Sequence, residues 1–355
     1  MLGASLVGTL GFMTSALANQ RITNPGLDSQ PLIGDPRVRG PFPILSTPFT
    51  STGAVDYDVL AKEAQFVDKC GSPGMIWPQS GDSIDLLTTD EKLQGMEVLA
   101  EATRGRKSAL CLGVQGKDTA EMLVFAKHAE KLAPAAIISR PPDLGTTEND
   151  LREYWRALAA VAQRPVIIQT TGGVTYKGDP PSIELLIELA KEFPHFGYVK
   201  EEAQPVGERM EKLIAAKPTI RRVFSAWGGF GWLYQARQFG TEGLITERAV
   251  YADLLAYIWK LMLSGSDPQA LNDAFSKYLL MVNLKDTING NQLRGFHLYV
   301  WMKRGVFKNM ISRQYGPEMS IPASPKFSEQ QLSKADIAEI ELRFASLKPY
   351  LVQDA

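Results

Sequence analysis

The sequence has little of the chemistry that metals, disulfides or nucleic acids require. Its 355 residues include two cysteines and three histidines, and the histidines lie far apart. We therefore expect neither a disulfide framework nor a metal site built on cysteine or histidine. The net charge is −1, and no dense patch of lysine and arginine with interleaved aromatics is present. This charge balance argues against a nucleic-acid partner.

Long apolar runs are also scarce, and the clearest is at the N-terminus. Residues 1–18 are apolar, rich in small residues, and end in Ala16-Leu17-Ala18, a spacing typical of a secretory signal. No lysine or arginine precedes the apolar run, so an export signal and a docking extension both stay open, as do a periplasmic and a cytoplasmic location. The run is short and rich in small polar residues, so we predict no stable membrane span. Residues 1–39 are predicted to be this segment and a linker.

From Gly40 onward, apolar runs alternate with amphipathic stretches, which predicts an α/β protein. Eight such alternations are typical of a (β/α)8 TIM barrel, here over residues 40–250. A doubly wound open sheet is the structural rival, but the Gly-rich dinucleotide loop expected after its first strand is missing. We therefore expect no cofactor. The predicted strands are Phe42–Pro48, Pro73–Gln79, Ser108–Val114, Pro134–Arg140, Arg164–Thr170, His195–Lys200, Ile220–Ala226 and Glu242–Arg248.

The remaining residues, 251–355, have helical periodicity throughout. Stretches such as "YADLLAYIWKLMLSG" and "SKADIAEIELRFASLKPYL" place apolar residues at helical spacing. We therefore predict that the barrel carries a C-terminal helical extension.

The strand-end positions of the predicted barrel contain one lysine, Lys200, at the end of "HFGYVK". Active sites of such barrels lie at the C-terminal ends of the strands. Burying an ammonium group is costly, and a desolvated lysine loses its proton more easily and attacks carbonyl groups to form a Schiff base. The alternative is that Lys200 forms an ion pair that is purely structural. Both interpretations stay open on position alone.

Four segments resemble the dihydrodipicolinate synthase / N-acetylneuraminate lyase family of class I pyruvate aldolases. They are "PILSTPFTSTGAVDYDVL", "WPQSGDSIDLLTTDEK", "GYVKEEA" and "EGLIT". The resemblance implies that Lys200 is the Schiff-base residue and that the partner is a small 2-keto acid. It also implies a homotetramer or homodimer. Further roles follow from it: Ser80 would hold the carboxylate of the keto acid, Gly81 would keep that turn open, and Ala226 and Ile245 would line the pyruvyl pocket.

The sequence departs from the family pattern at several positions. Ile168 stands where the family has its proton-relay tyrosine, and Gln169 stands at the following asparagine. Gln79 replaces a hydroxyl residue and is predicted to bind substrate together with Ser80 and Gly81. The arginine that binds the second substrate of the synthase has no clear match. Dihydrodipicolinate synthase activity is therefore disfavoured.

Two polar residues near the barrel mouth are further candidates for substrate binding. Tyr176 lies in a long loop after the fifth strand and is predicted to fold over the mouth. Arg140, at the end of the fourth strand, is predicted to hold a carboxylate with two hydrogen bonds. The alternatives are that Tyr176 only packs the loop and that Arg140 pairs with Asp143 or Glu201.

Two functional hypotheses follow. The first is a lyase that acts on a 2-keto acid through a Lys200 Schiff base, either in aldol cleavage or condensation with pyruvate, or in dehydration of a 2-keto-3-deoxy sugar acid. The second is a barrel that has lost turnover and binds a keto acid or a partner.

Overall fold

The computed structural model of the protein describes residues 34–226, 228–264, 267–285 and 293–352. The signal-like segment and most of the linker predicted over residues 1–39 lie outside these ranges. Within them, no helix is both long enough and apolar enough to cross a membrane.

Eight parallel strands of the described chain form the barrel, in the order β1-β8-β7-β6-β5-β4-β3-β2. Ile44 bridges both Ile76 and Arg248, so the two ends of the sheet meet and the barrel closes. The strands are β1 (Gly40–Pro41), β2 (Gly74–Trp77), β3 (Ala109–Gly113), β4 (Ala136–Ser139), β5 (Val166–Gln169), β6 (Tyr198–Glu201), β7 (Arg222–Ser225) and β8 (Gly243–Leu244). The predicted TIM barrel is confirmed.

A helix follows each strand and packs outside the barrel. Most of these helices begin where the sequence supplies an oxygen-bearing cap: Thr88, for example, accepts the backbone N–H of Glu91, whose carboxylate accepts the N–H of Thr88 in return. The helices are α1 (Tyr57–Lys69), α2 (Thr89–Ala102), α3 (Thr119–Leu132), α4 (Glu148–Ala159), α5 (Ile183–Glu192), α6 (Val206–Ala215), α7 (Gly228–Gln238) and α8 (Ala252–Leu263).

The first predicted strand, Phe42–Pro48, is wrong in its bounds, because the ladder is limited to Gly40–Pro41. Phe42 and Ile44 still donate their N–H groups to the carbonyls of Leu244 and Glu247. Proline has no N–H to donate, so Pro41 and Pro43 interrupt continuous pairing. His195, predicted to begin the sixth strand, lies instead in a 3₁₀ turn, Pro194–Phe196. The other six predicted runs contain the observed strands.

In the described part of the C-terminal extension, three helices follow α8, and one further feature was missed by the sequence analysis. The helices are α9 (Pro268–Lys285), α10 (Leu293–Lys303) and α11 (Lys334–Ala345). Between α10 and α11, β9 (Ile311–Arg313) pairs antiparallel with β10 (Phe327–Glu329). The hairpin reaches the barrel, since Arg313 pairs with Glu91 at 2.6 Å.

Candidate active site

Strand alternation places Lys200 inside the barrel. Successive side chains on a strand point to opposite faces. Tyr198 belongs to the apolar cluster of the barrel interior, whereas Val199 packs in the cluster between the barrel and the helices. Lys200 therefore faces inward at the C-terminal end of β6, and it is only 3% exposed.

In the part of the chain that the structure describes, two side chains contact the amine of Lys200. Nζ donates to Oε1 of Gln169 at 3.1 Å and lies 3.4 Å from Oε2 of Glu202. Burial lowers the pKa of Lys200, the nearby charge of Glu202 opposes that shift, and the charge of Arg140 adds to it, with a net decrease. A buried amine with a lowered pKa is the form of lysine that acts as a nucleophile.

A ring of side chains connects the two partners of Lys200. Thr171 donates its hydroxyl to Oε1 of Glu202, and Nε2 of Gln169 donates to the carbonyl oxygen of Thr171 at 3.0 Å. Sequence analysis did not select Glu202. The sequence contained a signal for Glu202: residues two apart on a strand lie on the same face, and Glu202 is two residues after Lys200.

The side chain that faces Lys200 from β5 is Gln169 rather than Ile168. Ile168 packs in the cluster between the barrel and the helices, while Ile167 lies in the interior cluster. The resemblance placed Ile168 at the position of the relay tyrosine. The alternation of β5 instead puts an amide, Gln169, against the lysine amine.

Arg140 lies 4% exposed at the end of β4, within a group of polar side chains. Its Nη1 donates to Oγ of Ser80 at 3.0 Å, and its Nη2 donates to Asp85 at 2.6 Å and to Asp143 at 3.4 Å. Burial by itself would lower the pKa of Arg140, but the charges of Asp85 and Asp143 outweigh it, and the net shift is upward. Of the two partners expected for Arg140, Asp143 is present, whereas Glu201 pairs with Arg209.

The β2 turn carries the residues predicted to hold a substrate carboxylate. Gln79 is buried, and its Oε1 accepts the backbone N–H of Ser80 at 2.5 Å. Gly81 has φ +89°, a conformation in the left-handed region that favours glycine, and its carbonyl accepts a hydrogen bond from Arg248. A carboxylate that used the N–H of Ser80 would therefore replace the amide oxygen of Gln79.

The loop after β5 covers Arg140. A side chain at Gly173 would collide with the guanidinium, because its Cβ would lie 2.3 Å from Nη2 of Arg140. Tyr176, in the same loop, donates its hydroxyl to the carbonyl of Asp179 at 2.7 Å. This contact packs the loop, and it leaves the predicted role of Tyr176 in substrate binding as a prediction.

Ala226 and Ile245, the residues predicted to line the pocket, are both buried at the ends of β7 and β8. Ile245 belongs to the interior cluster, and its N–H donates to the carbonyl of Ser225 at 2.9 Å. The structure thus brings Lys200 together with Gln169 and Glu202, and it brings Arg140 together with Ser80. The arrangement places a buried amine with a lowered pKa beside a carboxylate, with an arginine guanidinium nearby.

Comparison with known proteins agrees with this fold. A sialic acid aldolase from Ruminococcus gnavus matches with a TM-score of 0.71 at 17% identity, over 89% of this chain and 100% of that one. A prophage protein of the dihydrodipicolinic acid synthase family from E. coli K12, solved in complex with pyruvate, matches with a TM-score of 0.69 at 16% identity, over 88% of this chain and 99% of that one. At these identities the likeness shows the fold alone.

Sequence comparison goes further. A 4-hydroxy-tetrahydrodipicolinate synthase from Rhizobium meliloti is 27% identical over 203 residues, which cover 54% of this chain and 68% of that enzyme. The profile of the dihydrodipicolinate synthetase family matches residues 37–292, more than half of the chain. The chain therefore belongs to the dihydrodipicolinate synthetase family.

Proposed function

We propose that this protein acts on a 2-keto acid through a Schiff base formed on Lys200. Its family makes it a lyase of the class I aldolase type. The observation that carries the proposal is the buried Lys200 amine, which faces the barrel interior and whose pKa is lowered by burial. An iminium at this position withdraws electrons from the adjacent bond, which permits either C–C cleavage or loss of a hydroxyl group. Both reactions, aldol cleavage or condensation and dehydration of a 2-keto-3-deoxy acid, remain within the proposal.

Arg140 and Ser80 support an acidic substrate. They are joined by a hydrogen bond of 3.0 Å, and the charge of Arg140 acts on Lys200. A carboxylate next to the carbonyl that is attacked would pair with this cation and accept the Ser80 hydroxyl. We assign the carboxylate contacts to Ser80, Gln79 and Arg140, the open turn to Gly81, and the apolar wall to Ala226 and Ile245.

The proposed substrate differs from that of the synthases. Gln169, and not a tyrosine, faces Lys200 from β5, so the proton relay of the family has no counterpart there, and the arginine that binds the second substrate of the synthase has no clear match in the sequence. We therefore propose a 2-keto acid reaction other than dihydrodipicolinate synthesis, in a homotetramer or homodimer. The E. coli family protein solved with pyruvate is compatible with a keto-acid pocket in this fold.

A binding protein without turnover is the second candidate, and one observation favours it. The side chain that faces Lys200 from β5 is the amide of Gln169, and an amide does not relay protons as a phenol does. In this case a keto acid would bind without conversion.

Trapping the Schiff base tests the proposal directly. Incubation with pyruvate and sodium borohydride is expected to add one reduced pyruvyl group, and peptide mapping is expected to locate it on Lys200, because reduction fixes the iminium as a stable amine. Lys200→Ala, treated identically, is the control and is expected to remain unmodified. Absence of an adduct with pyruvate and other small 2-keto acids, in protein shown to be folded, would contradict the proposal.

The lowered pKa of Lys200 predicts a specific pH dependence. Only the neutral amine is nucleophilic, so acetylation of Lys200 by acetic anhydride is expected to increase with pH and to level off at a lower pH than for the side chain of a free lysine peptide. Arg140→Met removes a cation that lowers the pKa of Lys200, so the increase is expected to move to higher pH. Arg156→Met, a change on the exposed face of α4, is the matched control. An unchanged profile in Arg140→Met would refute this electrostatic explanation.

A further inference from the structure

We infer that Glu202 is the acid–base residue of the Lys200 reaction, in place of a tyrosine relay. This inference rests on the proposed function, because it assigns the proton transfers of the Schiff-base chemistry. It concerns a residue that neither the motif pattern nor the family resemblance selected.

The first argument is position. Oε2 of Glu202 lies 3.4 Å from the Nζ of Lys200, so a small movement would bring the two atoms to the usual hydrogen-bond distance. Among the described side chains, the second one in contact with this amine is that of Gln169. An amide neither accepts nor releases a proton in the working pH range, whereas a carboxylate does both.

The second argument is that Glu202 is held in place. Its carboxylate accepts the hydroxyl of Thr171, and its backbone N–H donates to the hydroxyl of Thr170 at 3.0 Å. Thr170, directly after β5, is fully buried and also accepts the N–H of Ala203 at 3.2 Å. Side chains fixed by such contacts are the ones that can transfer protons with little reorganisation.

The third argument is access to solvent. The side chain of Glu202 is 16% exposed, compared with 4% for Lys200 and none for the neighbouring Glu201. A proton that reaches Glu202 can therefore exchange with water, as turnover requires. Glu201 faces the other way, where Arg209 and Thr170 contact it, so it does not serve this role.

The proton transfers balance as follows. The ammonium of Lys200 gives a proton to the carboxylate of Glu202, and the neutral amine then attacks the keto carbon, whose carbonyl electrons move to oxygen. A proton passes from nitrogen to that oxygen, which gives a carbinolamine. Protonated Glu202 donates to its hydroxyl, so the C–O bond breaks, water leaves and the iminium forms. The carboxylate of Glu202 then removes a proton from the carbon next to the iminium, and an enamine results. These steps need neither an oxidant nor a cofactor.

Exchange of the methyl protons of pyruvate tests this assignment without knowledge of the second substrate. The wild-type protein in D₂O is expected to exchange these protons, measured by NMR. Glu202→Gln is expected to slow the exchange by about 10² to 10⁴-fold, the usual contribution of a general base. Long incubation with pyruvate and cyanoborohydride is still expected to label Lys200 in this variant. Glu201→Gln, the adjacent carboxylate without contact to Lys200, is the matched control and is expected to retain the wild-type rate per folded molecule.

A chemical rescue separates catalysis from structure. Glu202→Ala opens space beside Lys200, and added formate is expected to restore exchange in proportion to its concentration, which a merely structural role would not produce. Near-wild-type exchange in Glu202→Gln would overturn the assignment of Glu202 and leave the Schiff base intact. The same conclusion would follow if the wild-type protein formed the adduct without exchanging the methyl protons, or if formate failed to restore exchange in Glu202→Ala. Absence of any wild-type adduct would instead overturn the proposed function itself, and the assignment with it.

Discussion

Replacement of Lys200 by methionine is expected to abolish keto-acid chemistry. The expected loss of pyruvate proton exchange is on the order of 10⁴-fold or more, the range found when a covalent nucleophile is removed. The reason is that the iminium, which acidifies the adjacent carbon, cannot form without the amine. Methionine has a similar length and suits a site that is 3% exposed. The measurement is deuterium incorporation into pyruvate by NMR, in parallel with borohydride trapping.

Two controls make this loss interpretable. Lys200→Arg preserves the positive charge beside Glu202 but offers no nucleophile at the working pH, so it is expected to be as inactive as Lys200→Met. Thermal unfolding is expected to show that Lys200→Met remains folded, because the Glu202 carboxylate that loses its partner is partly exposed and still accepts the Thr171 hydroxyl. Exchange that persists in both variants would mean that another group forms the adduct or that no adduct is needed.

The proposed site shows what periodicity can and cannot predict. The lysine was identifiable because a single charge ends an apolar strand in a barrel whose active sites lie at strand ends. Prediction of Gln169 and Glu202 required knowing which face of each strand points into the barrel, and a shift of one residue in the alignment reverses the inward and outward faces. The motif alignment placed Ile168 at the position of the inward-facing tyrosine, whereas in the fold Ile168 faces the helices and Gln169 faces the barrel interior. The loop that folds Gly173 onto Arg140 depends on contacts across the barrel mouth that no local pattern encodes.

The outer parts of the fold were predictable to different degrees. Helices with oxygen-bearing caps, such as α2 at Thr88, follow from short-range signals. The β9–β10 hairpin does not, since its strands have three residues each and are joined by a long connection that contains Pro317 and Pro322. Its place is fixed by distant partners: Arg313 reaches both carboxylate oxygens of Glu91. Such pairings between residues far apart in sequence become visible only in the folded chain.

A buried ion pair anchors the C-terminal extension to the barrel. Arg304, at the end of α10, donates to both carboxylate oxygens of Asp253, at 3.1 and 2.5 Å, and to the carbonyl of Val250 at 2.6 Å. Its guanidinium lies 4.5 Å from the centre of the Phe66 ring of α1. Asp253 in turn accepts the N–H of Val352 at 2.8 Å, so the pair joins α8, α10 and the end of the described chain.

Breaking this pair from one side is expected to cost far more stability than removing both charges. Arg304→Leu leaves Asp253 buried and uncompensated, and the free energy of unfolding is expected to fall by about 3–5 kcal/mol. Arg304→Leu/Asp253→Leu is expected to recover much of that loss, because no isolated charge remains buried. Arg156→Leu, which breaks exposed pairs between α4 and α5, is the matched control, with an expected change of about 1 kcal/mol or less. Urea unfolding measures all three, and equal losses for Arg304→Leu and the control would show that the pair does not anchor the extension.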